Sequence, residues 1–132
     1  MAAESTDLIR SESRGSCLVV TILEKQMRNF EKVTQIKLDI LSAIREFLPK
    51  TVILDLSHVN FVGSVGFLAF LAIRREPTVE NIVLCKLDPN VHSLFTICKL
   101  IPEGAESNAP LRVAESVDAA IAMFGSSDAK AT

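Results

Sequence analysis

The chain has 132 residues, of which 48% are apolar, and a mean hydropathy of +0.33. That is enough for one domain with a single core and no need of metals or crosslinks. A formal net charge of -2, a pI near 5.7 and the absence of any Lys/Arg run argue against nucleic acid or an anionic membrane as an obligate partner.

Residues 1–6 are small and polar and read as a loose tail, as do 126–132. Asp7 to Ser13 alternates around Leu8 and Ile9, Arg14-Gly15 marks a turn, and Ser16 to Leu23 is β-branched and apolar. This pattern predicts a hairpin whose second strand, lacking alternation, is buried on both faces. From Asn29 to Leu48 the period changes, with Val33, Ile36, Ile40, Leu41, Ile44 and Phe47 recurring at three- and four-residue steps. The spacing predicts an amphipathic helix capped by Asn29 and stopped by Pro49.

Val52 to Leu56 reads as a buried strand and Ser57 to Asn60 as a polar turn. Gly63-Ser64-Val65-Gly66 then leads into the apolar run Phe67 to Ile73, which ends at two arginines. Asn81 to Leu87 is a further strand, and Asp88-Pro89 opens a helix carrying Val91, Leu94, Phe95 and Cys98 on one face. Residues 102–110 form a loop, Leu111 to Ala114 a short strand, and Ser116 caps a last helix through Phe124. The order β-β-α-β-α-β-α-β-α implies an α/β fold: a mixed sheet of about five strands with about four helices.

Three cysteines, Cys17, Cys85 and Cys98, occur at no metal-ligand spacing and suit a reducing compartment. No leader is visible at the N-terminus, and the longest apolar run is far too short to span a bilayer. The expectation is a cytoplasmic protein, a single domain over 1–132, without membrane insertion.

Ser64 is the candidate functional residue. Two flanking glycines at a strand-to-helix junction allow close backbone approach and leave its hydroxyl outward. The plainer reading is that Ser64 only caps the helix. A hydrolase nucleophile elbow would need glycine at the position of Val62, and Asp88 and His92 read as a helix cap and a surface histidine. No phosphate-binding glycine loop occurs, and His58 and His92 sit at no metal spacing. Asp55 reads by default as a structural carboxylate, or else as part of a rim beside Ser64. In the helix after Ser64, either all side chains are core or a strip of Phe67, Phe70 and Leu71 is exposed. No acid/base or cofactor constellation marks an enzyme.

The run VILDLSHVNFVGSVGFLAFLAI resembles the signature of STAS domains, the fold of bacterial anti-sigma-factor antagonists, with Asp55, Phe61, Ser64 and Gly66 matching the motif. IVLCKLDPNVHSLFTICKLI and LRVAESVDAAIAMF resemble the family's later elements, so the likeness runs from about residue 8 to 124. The resemblance implies a switch in which Ser64 is phosphorylated by a serine kinase that doubles as an anti-sigma factor. The unmodified form binds that partner and releases a sigma factor, and a phosphatase of PP2C type resets it. It also implies a partner-binding surface of Asp55, Asn60, Phe61, Gly63, Ser64, Val65, Gly66 and Phe67, with no cofactor. Gly63 departs from the aspartate usual before the serine, and Val65 from a smaller residue. The departure at Gly63 favours the alternative of a non-phosphorylated adaptor in a stress-signalling or transporter complex.

Overall fold

The structure, a computed structural model, describes residues 3–5, 8–97 and 111–123. In chain order the elements are β1 (Ala3–Ser5), β2 (Ile9–Arg14), β3 (Cys17–Ile22), β4 (Gln26–Met27), α1 (Phe30–Phe47), β5 (Thr51–Asp55), β6 (Phe61–Val62), α2 (Ser64–Arg74), β7 (Asn81–Cys85), α3 (Pro89–Ile97) and β8 (Arg112–Ala114). Residues 117–123 form a fourth helical segment. Six strands make one sheet in the order β1-β2-β3-β5-β7-β8. The β1-β2 and β2-β3 pairs are antiparallel, and the rest of the sheet is parallel. The mixed sheet flanked by helices is the expected fold class.

Two features depart from the sequence reading. Residues 3–5, taken as part of a loose tail, pair with β2 in the register Ala3↔Glu12 to Ser5↔Arg10. Gln26–Met27 and Phe61–Val62 also form a small parallel ribbon outside the main sheet. The expected loop at 102–110, Cys98 and Phe124 lie outside the described residues.

The sheet is buried on both faces because successive side chains of β3, β5 and β7 point opposite ways. Leu18, Val20, Val52, Leu54, Ile82 and Leu84 meet Ile36, Ile40 and Ile44 of α1, Phe70 and Ile73 of α2 and Phe95 of α3. On the other face Cys17, Val19, Ile53, Val83 and Cys85 meet Ala120, with Val117 and Ile121 packed alongside. Three helices therefore cover one face and the segment 117–123 covers the other.

Local chemistry sets where the helices start and stop. Asn29 caps α1, its side chain accepting the Lys32 N–H at 3.0 Å. Leu48 ends α1 in the left-handed region, at φ 52 and ψ 54, before Pro49 forbids continuation. Asp88 accepts the Asn90 N–H at 2.9 Å ahead of α3, and Ser116 Oγ accepts the Ala119 N–H at 3.1 Å. Both caps match the sequence reading.

Candidate partner-binding site

The ribbon of β4 and β6 ties the beginnings of α1 and α2 together. The Asn60 N–H donates to the Lys25 carbonyl at 2.8 Å, and the Gly63 N–H donates to the Met27 carbonyl at 3.0 Å. Immediately beyond those bonds, residues 29–30 enter α1 and residues 63–64 enter α2. The two helices therefore start side by side from one clasp.

Ser64 is not the cap of α2. Gly63 is, with an extended backbone at φ -89 and ψ -176, and no side chain satisfies the cap. Its carbonyl accepts the Phe67 N–H at 3.1 Å, the first intrahelical bond. Ser64 is the first helical residue and is exposed. The plainer reading, in which its hydroxyl is used up as a cap, is thereby corrected.

Gly66 explains why the clasp closes so tightly. A Cβ built there would lie 2.6 Å from Val62 Cγ1 and 3.4 Å from Met27 Cβ. Only a hydrogen at that position lets the first turn of α2 lie on the ribbon. At Gly63 a Cβ would meet nothing nearer than 3.5 Å, at Phe61 Cε2. That position tolerates a side chain and does not use one.

A groove of about 350 Å³ runs between the helices, lined by Phe30, Val33, Thr34 and Lys37 of α1 and Ser64, Val65, Leu68 and Ala69 of α2. Phe30 is 71% exposed and Leu68 66%, and Phe61, 37% exposed, stands on the ribbon beside them. Two large apolar side chains this exposed flank the Ser64 hydroxyl, the composition of a protein-docking surface.

The structure brings Phe61, Gly63, Ser64, Val65 and exposed Asn60 together at the clasp. Gly66 is buried there as the close-approach residue. Phe67 is half-buried, its ring 4.8 Å from that of Phe95 at 78°. The strip of Phe67, Phe70 and Leu71 is not the exposed face: Phe70 is fully buried, and Phe67 and Leu71 are half-buried. Leu68 takes that role. Phe30 and Leu68 were the functional candidates that sequence reasoning missed. The available signal was an aromatic directly after a helix cap, on the same stripe as Val33.

Asp55 does not line the groove. It is buried at the end of β5, with Oδ1 accepting the Ser57 N–H at 3.0 Å and Oδ2 3.8 Å from Lys86 Nζ. Its work is to fix the turn after β5, the default sequence reading. Burial, with the Asp55 charge adding to it, pushes the neighbouring Cys85 thiol up to about 11. His92 faces a second, shallower cleft with Lys86 and Glu115. Its N–H donates to the Asp88 carbonyl at 2.8 Å in the first turn of α3, so the two are a cap and a helix residue. Among the described residues no cluster of His, Cys, Asp and Glu is arranged to hold a metal.

The sequence matches the STAS domain family over residues 9–120. The chain belongs to the STAS family. Among solved structures it is similar to the anti-sigma factor antagonist SpoIIAA in its unphosphorylated form, with a TM-score of 0.62 and 19% identity over 89% of this chain and 97% of that one. It is also similar to Moorella thermoacetica RsbS carrying a serine-to-glutamate substitution, with a TM-score of 0.66 and 17% identity over 92% and 97%. At these identities the two structures speak for the fold. No curated protein sequence matches. In this STAS domain the motif turn is the clasp, and its serine opens α2. Among the described residues no helix is long and apolar enough to cross a membrane.

Proposed function

We propose that this STAS domain is a phosphorylation-switched, non-enzymatic binding protein of the cytoplasm, an anti-sigma-factor antagonist. Its unmodified form binds an anti-sigma factor that is also a serine kinase, and so frees a sigma factor. The observation that carries this reading is the exposed Ser64 at the first position of α2, beside the groove with Phe30 and Leu68 on its walls.

The kinase step is an in-line displacement. Ser64 Oγ attacks the γ-phosphorus of a nucleoside triphosphate, its proton passes to a base of the kinase, and the nucleoside diphosphate leaves. The product carries about -1.5 to -2 charges where a neutral hydroxyl stood. At the first turn of its own helix that charge is favourable, so the fold survives. Across a desolvated apolar interface it is costly, so the partner lets go. A phosphatase of PP2C type that removes the ester restores binding.

The test is phosphate-affinity electrophoresis and calorimetry with the candidate kinase. Ser64→Ala should bind without being modified, and Ser64→Asp should bind at least about 10-fold more weakly, a loss of about 1.4 kcal/mol. Stoichiometric phosphorylation of Ser64→Ala, or undiminished binding of Ser64→Asp, would refute the switch. Gly63 favours a second reading, a scaffold that docks through the same groove without modification. Under it Ser64→Asp and wild type bind the partner alike.

A further inference from the structure

Arg28 stands at the clasp with no part in the interactions described so far. It follows β4, and its Cα lies 4.0 Å from where a Cβ of Gly63 would be. Its guanidinium sits over the Phe61 ring, 5.4 Å from the centroid, and donates to Gln26 Oε1 at 3.1 Å. Among the described residues no carboxylate forms an ion pair with it. The other charges around the clasp are Lys25 and Glu31, both exposed, Lys32, held by Glu24 at 3.4 Å, and Lys37, which lines the groove with Ser64. Arg28 and Ser64 thus flank the same glycine, with the Phe61 ring that carries the guanidinium 3.5 Å from the Cβ position of Gly63.

We propose that Arg28 is the built-in counter-ion of a phosphate on Ser64. This rests on reading Ser64 as the modified residue. A guanidinium presents a planar fork of N–H donors that fits phosphate oxygens two at a time. Stacking on Phe61 holds that fork against a rigid support, so little side-chain freedom is lost when it pairs. The free N–H groups of the first turn of α2 add to the pull on the same anion. The modified state is then held by the protein's own arginine. The bridge from Arg28 across Gly63 to Ser64 covers the Phe61 edge of the docking surface, in addition to charging it.

The test needs no kinase, so its result is independent of whether the switch reading stands. Phosphoserine is placed at position 64 during synthesis, and the second ionisation of the phosphate is followed by phosphorus NMR. An unpaired phosphoserine titrates at about pH 6. Pairing with Arg28 favours the dianion, so the wild-type midpoint should lie lower, and Arg28→Gln should raise it by about half a unit or more. Arg28 is exposed, so the variant stays folded. Lys37→Gln removes an equal charge from the α1 wall of the groove that Ser64 also lines, and should shift the midpoint much less. Coincident titrations of wild type and Arg28→Gln would overturn the proposal. So would equal shifts from Arg28→Gln and Lys37→Gln, which would mean a diffuse field in place of a local pair.

Discussion

Gly66 is the residue on which the clasp depends. A methyl group there would come within 2.6 Å of Val62 Cγ1, and Val62 is itself buried. Alanine in place of glycine normally strengthens a helix by about 1 kcal/mol. Overpacking costs about 1–3 kcal/mol, so Gly66→Ala should be net destabilising by about 1 kcal/mol in urea unfolding. Adding Val62→Ala removes the clashing methyl group. The double variant should therefore be more stable than the sum of the two single losses, a coupling that a double-mutant cycle reads directly. Strict additivity would show that the close approach costs nothing.

Cys85 gives a prediction in pH. Its thiol is fully buried and is raised to about 11 from the ordinary 9.0. The folded state therefore keeps its proton through a range where the unfolded chain has lost it. With more protons bound in the native than the unfolded state, stability falls as pH rises through that window, from about pH 9 to about pH 11. Cys85→Ala should flatten that part of the stability profile, and native Cys85 should resist alkylation at pH 8. Rapid labelling of Cys85 in the folded protein would contradict this account.

At the scale of elements, α2 starts on a glycine with no side-chain cap. The site has room, since a Cβ at 63 meets only ordinary contacts. Gly63→Asp should therefore stabilise the domain by a few tenths of a kcal/mol, through capping and the helix dipole. A loss of melting temperature would mean that the extended backbone at 63 serves something other than the helix start.

The elements also show what was legible in advance. The period of Val33, Ile36, Ile40 and Ile44, with Asn29 ahead and Pro49 behind, announced α1 nearly to the residue, because burial and capping both leave marks in sequence. The unalternating β3, β5 and β7 announced a sheet covered on both sides. The β4–β6 ribbon left no such mark. Two residues cannot display a period, and what holds Gln26–Met27 is a partner strand that begins at Phe61. For that reason the motif serine was found from sequence and the wall opposite it was not. Phe30 and Leu68 become neighbours only once the ribbon has brought the two helix starts together. The β1 strand was missed because Ala3–Ser5 has no large apolar side chain to pattern, and its place comes from backbone pairing with β2.

For the molecule as a whole, stability and recognition draw on different side chains. The core is built of residues such as Leu18, Leu54, Phe70, Ile73 and Phe95, all with no measurable exposure. Truncating one of them, Phe70→Ala for example, costs about 3–5 kcal/mol. Phe30 and Leu68 contribute far less to folding because water already reaches them. Phe30→Ser and Leu68→Ser should stay within about 0.5 kcal/mol of wild type in unfolding, yet each should weaken kinase binding by about 10-fold or more. A variant that unfolds early, or one that binds undiminished, would show that the exposed pair belongs to the core or lies outside the interface.

The uneven cladding of the sheet has a practical consequence. On the face away from the clasp, Val19, Ile53 and Val83 are roofed by the segment 117–123, which is joined to the sheet edge through β8. If that roof lifts, the first groups wetted are on the face of the sheet away from the seam between α1 and α2. A fluorophore or tether placed on the outer surface of 117–123 would leave the proposed docking seam unobstructed, so a binding assay for the proposed kinase partner could be anchored there.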